Sequence, residues 1–109
     1  MTGLSKADHD ASPPRVEFPR RYNAAHDLIE RNLVAGRGDK VAYVDDAGRY
    51  TFGELAERVN RAANALTALG LGLEDRIMLC HLDAIDWPAT FLGAIKAGIV
   101  PVAANTLLT

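Results

Sequence analysis

The chain has 109 residues, 49% of them hydrophobic and 24% charged, with a formal net charge of −2. That length fits one small domain or a piece of a larger one, and the composition is that of a globular protein. A near-neutral charge without a basic stripe argues against nucleic acid or an anionic membrane as partner, and the longest apolar runs, Ile77 to Cys80 and Ile99 to Ala104, are far too short to span a bilayer.

The N-terminus lacks the apolar stretch a secretory signal needs. Cys80 is the single cysteine, which excludes an internal disulfide and suits a reducing cytoplasm. Residues 1–21 show little hydrophobic periodicity and carry Pro13, Pro14 and Pro19. This predicts a mobile or extended leader, with Val16 and Phe18 available to pin its end to the body.

Residues 22–109 read as structured. Asn23 is a suitable N-cap for a helix through Ala24, Leu28, Ile29 and Leu33, stopped near Gly36. Gly36-Arg37-Gly38-Asp39 then breaks the chain. It has too few glycines for a phosphate loop, and neither the lysine nor the helix start such a loop requires, so it reads as a turn. Val41–Val44 has strand propensity, and Asp45-Asp46-Ala47-Gly48 turns into Arg49-Tyr50-Thr51, which together predict a short antiparallel hairpin.

The next helix has the clearest local start. Thr51 and Glu54 have capping-box spacing, and Tyr50 and Leu55 flank them as a hydrophobic staple. Leu55, Val59, Ala62, Ala63 and Leu66 form one apolar stripe, Glu54–Arg58 and Glu57–Arg61 are spaced for ion pairs, and Gly70 marks the end. The charged face reads as a solvated exterior.

After a connection over Leu71–Asp75, Arg76–Leu82 reads as a buried strand, apolar on both faces at its centre as parallel strands are. Asp86 is positioned to cap a further helix with Pro88 in its first turn, where the missing N–H costs nothing. Trp87, Phe91 and Ile95 recur every four residues and are expected to face the sheet; Gly98 ends the helix and Ile99–Ala103 supplies a second strand. Strand, helix and strand at this spacing predict one right-handed βαβ unit.

Four residues near the end of the first parallel strand bear chemistry. Cys80 lies in an apolar run and reads as a small buried hydrophobe, with nothing nearby to activate its thiol. His81 reads as a strand-end histidine, with a ligand crevice as the alternative because strand C-termini favour ligands in open α/β sheets. Asp83 and Asp86 bracket the following loop; turn formation and helix capping explain them better than acid–base work. His9 falls in the leader and His26 on a helix surface, so the histidines and Cys80 lack metal-ligand spacing. No Gly-x-Ser-x-Gly elbow, dinucleotide fingerprint or Walker loop is present. The residues therefore predict no catalytic, cofactor-binding or metal-binding position.

An ordered set of segments nonetheless carries a resemblance. Tyr50-Thr51-Phe52-Gly53-Glu54-Leu55, Asn60-Arg61, Ala65-Leu66, Leu69-Gly70, Phe91-Leu92-Gly93-Ala94 and Ala97-Gly98-Ile99-Val100-Pro101-Val102 resemble the N-terminal part of the adenylate-forming superfamily. That superfamily includes acyl– and aryl–CoA ligases, luciferases and peptide-synthetase adenylation domains. The closing Asn105-Thr106-Leu107-Leu108-Thr109, where many relatives have proline after the asparagine, is similar to benzoate–CoA ligases and close aryl–CoA ligases. Tyr22-Asn23-Ala24-Ala25 and Gly36-Arg37-Gly38-Asp39-Lys40 point the same way.

The resemblance implies an α/β fold in which residues 22–109 are an incomplete N-terminal subdomain of a ligase's large domain. It implies a cytoplasmic enzyme that uses ATP, Mg²⁺ and coenzyme A to convert a small aromatic carboxylate to its thioester through an acyl-adenylate. The family's phosphate loop, adenine motif, ribose-binding aspartate and catalytic lysine have no matching position here. The chain alone is thus expected to be inactive, to need the remainder of the ligase domain, and either to fold only partially or to associate through uncovered strand edge. Two alternatives stand beside this reading: an adenylation domain that loads a carrier protein, and a free-standing α/β interaction module without catalysis.

Overall fold

The computed structural model describes residues 3–107, so Met1 and Thr2 of the leader, and Leu108 and Thr109 of the closing motif, lie outside the described residues. In chain order the elements are β1 (Lys6–Asp8), β2 (Arg15–Glu17), α1 (Ala24–Val34), β3 (Val41–Asp45), β4 (Gly48–Thr51), α2 (Phe52–Ala68), β5 (Arg76–Leu79), α3 (Asp86–Lys96) and β6 (Val100–Ala103). They form three two-stranded sheets: β1–β2 and β3–β4 antiparallel, β5–β6 parallel. This is the expected α/β arrangement of hairpin, packing helices and βαβ unit.

Local chemistry explains most boundaries. The Asn23 side chain accepts from the His26 N–H and starts α1; Gly36, with φ +80°, lets the chain leave it. The Thr51 hydroxyl accepts from the Glu54 N–H, while the reciprocal half of the expected capping box is not formed. The other first-turn donors of α2 are met from the preceding turn, Phe52 N–H by the Lys40 carbonyl and Gly53 N–H by that of Gly38. Gly70 and Gly98, both at positive φ, end α2 and α3.

Ile29, Leu55, Val59 and Ile85 form the centre of the core, with Leu33, Ala42, Tyr43, Tyr50, Ala56 and Leu92 packed around it. Leu55 lies in this core and Tyr50 packs against it. Each fully buried aliphatic side chain of this kind contributes about 1.5–3 kcal/mol. Helix α3 crosses α2 closely at Gly93, where a Cβ would stand 2.7 Å from the Ala62 Cβ and 3.0 Å from the Val59 carbonyl oxygen.

Several expectations are corrected. The leader contains the β1–β2 ribbon, although Val16 and Phe18 are exposed and do not pin it; Phe18 meets Tyr22 edge-on at 4.9 Å. In α1 the buried residues are Ala25, Asp27 and Ile29, and Leu28 is exposed. Arg58 lies over the Tyr50 ring at 4.9 Å and forms no ion pair with Glu54, whereas Glu57 and Arg61 do pair. Strand β5 stops at Leu79 and is covered on one face, so Met78 is 75% exposed. In α3 the face buried is that of Ala89, Gly93 and Ala94, because only small side chains fit the approach to α2; Trp87 and Phe91 are partly buried and stack on each other at 4.9 Å.

The folded chain exposes 7737 Å², about a third more than the roughly 5,900 Å² that a self-contained folded monomer of this length presents. Much of the excess is apolar, including Leu28, Val44, Met78, Leu82, Val100 and Val102.

Candidate functional site

The end of β5 is where an open α/β sheet would place a ligand, and it gathers the four residues that sequence singles out. Cys80 is exposed, not buried as expected, because β5 has ended and its position alternates with Met78 on the uncovered face. His81 is exposed, and its Nδ1 donates to the Leu82 carbonyl at 2.7 Å, so the ring is turned onto its own loop. Asp83 lies exposed at a bend. Asp86 is not the cap of α3: it sits in the first turn with its carboxylate 4.0 Å from the Arg58 guanidinium, mostly in solvent. These groups neighbour one another along the chain but share no hydrogen bond among them, so no acid–base or nucleophile–base pair is formed.

The cap of α3 comes from the β3–β4 hairpin. Asp45 Oδ2 accepts from the Ile85 N–H at 2.9 Å, while Oδ1 accepts from the N–H groups of Ala47 and Gly48. The Ile85 bond, aided by those two, holds the Asp45 carboxyl below its ordinary pKa. The turn at Asp45 is visible in the sequence; its reach across 40 residues to α3 is not.

A helix N-terminus is the usual anion seat in such folds. In α1 the Asn23 side chain takes the His26 donor, in α2 the Lys40 and Gly38 carbonyls take two donors and Thr51 a third, and α3 faces the Asp45 carboxylate. Each helix start thus has at least one of its N–H groups met from within the chain.

Asp27, unmarked by sequence reading, is the one buried charged residue among the described residues, 4% exposed. Its Oδ2 accepts from the Ser5 hydroxyl at 2.6 Å, the Ser5 N–H at 3.2 Å and the Tyr22 hydroxyl at 2.6 Å; its Oδ1 accepts from Arg31 at 2.7 Å. The Ser5 and Tyr22 hydroxyls, with Arg31, hold its carboxyl well below the usual carboxylate range, and the same bond raises the Tyr22 phenol. Arg31 also donates to the Ser5 carbonyl. With every buried side-chain nitrogen and oxygen among the described residues partnered, the cluster is a clasp that ties the N-terminal segment to α1. The Asp27–Arg31 spacing of four was the available signal.

Beside the clasp runs an open, largely apolar groove between α1 and α3, lined by Leu28, Phe91, Leu92 and Ile95 together with Asp27, Arg31 and Asn32. It has no convergent polar groups beyond those of the clasp. Among the described residues no group of three or more His, Cys, Asp or Glu comes together to hold a metal ion. No helix among the described residues is long and apolar enough to cross a membrane.

Residues 30–109 match the family model described as AMP-binding enzyme. The chain is 63% identical over its full length to a benzoate–CoA ligase of Thauera aromatica, of which it covers 21%. It is 48% identical over 83% of its length to a 4-hydroxybenzoate–CoA/benzoate–CoA ligase of Rhodopseudomonas palustris, covering 17% of that protein. A crystal structure of a benzoate CoA ligase from Burkholderia xenovorans LB400 superposes with a TM-score of 0.77 at 51% identity, over 81% of this chain and 18% of that one. The chain therefore spans about a fifth of the length of the relatives it matches.

Proposed function

Because the chain belongs to the AMP-binding enzyme family, we propose that it is the N-terminal scaffold of an ATP-dependent aromatic acid–CoA ligase that acts on benzoate. The observation that carries this is the 63% identity to a benzoate–CoA ligase, sustained over the whole chain. In the proposed reaction the carboxylate joins ATP to give an acyl-adenylate and release pyrophosphate. The thiolate of coenzyme A then displaces AMP and forms the thioester.

The role assigned to residues 22–109 is to build the core and present strands and helices on which the rest of the large domain folds. No catalytic, nucleotide-binding or metal-binding residue is assigned to them. ATP, Mg²⁺ and coenzyme A are assigned to the remaining four-fifths of the ligase. The uncovered apolar surface is what such a scaffold presents before the remainder packs on it. The reading places the protein in the cytoplasm, where an exposed thiol such as Cys80 stays reduced.

The test is benzoate-dependent ATP–pyrophosphate exchange by the full-length protein, its intact mass verified, beside residues 1–109 alone. Exchange by the full-length protein and none by residues 1–109 is the expected outcome. A full-length protein that exchanges with no aromatic acid, or exchange by residues 1–109 alone, overturns the proposal.

A further inference from the structure

The β1–β2 ribbon stands off the body. Every residue of both strands is exposed, and neither strand makes substantial contact with another helix or strand. The ribbon is held at its base, where Ser5 enters the Asp27 clasp and Gly3 bridges Tyr22. Its ladder sets Lys6 opposite Glu17, Ala7 opposite Val16 and Asp8 opposite Arg15, so unlike charges face each other on one side and Ala7 and Val16 lie on the other. Each strand keeps one edge unpaired.

The free edge of β2 has a further property. Read antiparallel to itself about Val16, the sequence Arg15-Val16-Glu17 is its own electrostatic complement: Arg15 of one copy meets Glu17 of the other, twice, and Val16 meets Val16. Val16 is 53% exposed and Phe18, two residues on, 62% exposed, so pairing there also covers apolar surface. The edge of β1 has the same charge order but only Ala7 at its centre, and its neighbour Ser5 is tied to α1. An exposed edge that complements itself is the ingredient of a closed two-fold interface. We infer that β2 is a self-pairing edge, at which a second copy of this protein adds antiparallel to form a four-stranded sheet in the order β1-β2-β2-β1.

The test uses the full-length protein. Two-fold pairing brings the two Val16 Cα atoms to about 4.5–5.5 Å, inside the span of about 4.4–6.8 Å that a disulfide bridges. Val16→Cys is expected to yield a disulfide-linked homodimer on mild oxidation. Asp10→Cys, at the ribbon tip, and the parent protein are not, because the two tips point in opposite directions. By sedimentation the parent is expected to be a dimer at micromolar concentration. Arg15→Glu raises the dimer Kd by about tenfold or more, and reversing all four charges (Lys6→Glu, Asp8→Lys, Arg15→Glu, Glu17→Arg) restores pairing within and between ribbons. A monomeric parent, cross-linking at residue 16 no better than at residue 10, or a fourfold reversal that fails to restore the dimer overturns the inference. Burial of the ribbon against the rest of the same ligase molecule would show itself as the first two of these together.

Discussion

The Asn23 side-chain amide donates to the Ile95 carbonyl at 2.8 Å, across 72 residues, while its oxygen accepts from the His26 N–H. One side chain thus caps the start of α1 and the end of α3 and fixes the two helices against each other. Asn23→Ala removes both bonds and is expected to cost about 1–3 kcal/mol. Asn23→Ser keeps a capping oxygen but loses the amide nitrogen that reaches the Ile95 carbonyl, and should lose the α3 bond alone, about 1 kcal/mol. Asn23→Asp sets a negative charge against the α3 carbonyls and should fall between the two or lower. Urea unfolding midpoints rank the three; a serine variant as unstable as alanine would remove the second capping role.

Gly93 marks the closest approach of α3 to α2. A methyl group there must displace Ala62 or the backbone at Val59, which is not the far end of a flexible side chain. Overpacking of this kind costs about 1–3 kcal/mol and outweighs the gain of about 1 kcal/mol in helix propensity. Gly93→Ala should therefore destabilise the fold. Gly48→Ala, at the first residue of β4 with nothing within 4 Å, should leave the unfolding midpoint nearly unchanged and serves as the control.

What the sequence made legible is local, and what it hid is long-range. The Asn23 and Thr51 caps, the Gly70 and Gly98 stops and the strand–helix–strand order each depend on residues within a few positions, and all are found. The start of α3 is different: Asp86 was the nearest carboxylate and so the expected cap, yet Asp45 in the hairpin fills that place. Burial was misjudged where covering depends on distant surface, as at Cys80 and Leu28, both apolar in pattern and both exposed. The ribbon escaped because three-residue strands of alternating charge carry almost no hydrophobic signal. At the candidate site, His81, Asp83 and Asp86 were readable as residues, but that they fail to converge is a property of the loop's path.

The Asp27 clasp has a defined pH window. Its carboxyl is lowered in the folded state, so the stabilisation is complete above the unfolded carboxylate value, about 4, and is lost only as pH falls through the lower folded value. Tyr22 is raised, so its contribution is complete below about 10 and is lost as pH rises through its higher folded value. Between about pH 5 and 9 the clasp should be insensitive to pH. Asp27→Asn imitates protonation at neutral pH and is expected to cost about 1–3 kcal/mol. Amide exchange at Ser5 reads this directly: protection that changes between pH 5 and 8, or survives Asp27→Asn intact, would contradict the assignment.

The last prediction joins the uncovered sheet face to the proposed scaffold role. Ile77 and Leu79 of β5 turn toward the body and are half-buried, whereas Met78 and Cys80 share the open face. In residues 1–109 alone Cys80 should react with an aqueous thiol reagent about as fast as a free cysteine, since no burial slows access. In the full-length protein the remainder of the large domain is proposed to cover that face, and labelling of the Cys80 peptide, followed by mass spectrometry, should slow on the order of tenfold or more. Urea below the unfolding transition should not restore the rate, because covering by a packed domain is lost only when the domain opens. Equal rates in the two proteins would mean that the β5 face stays open in the whole enzyme, and the scaffold would then have to engage the rest of the ligase through the α1–α3 groove instead.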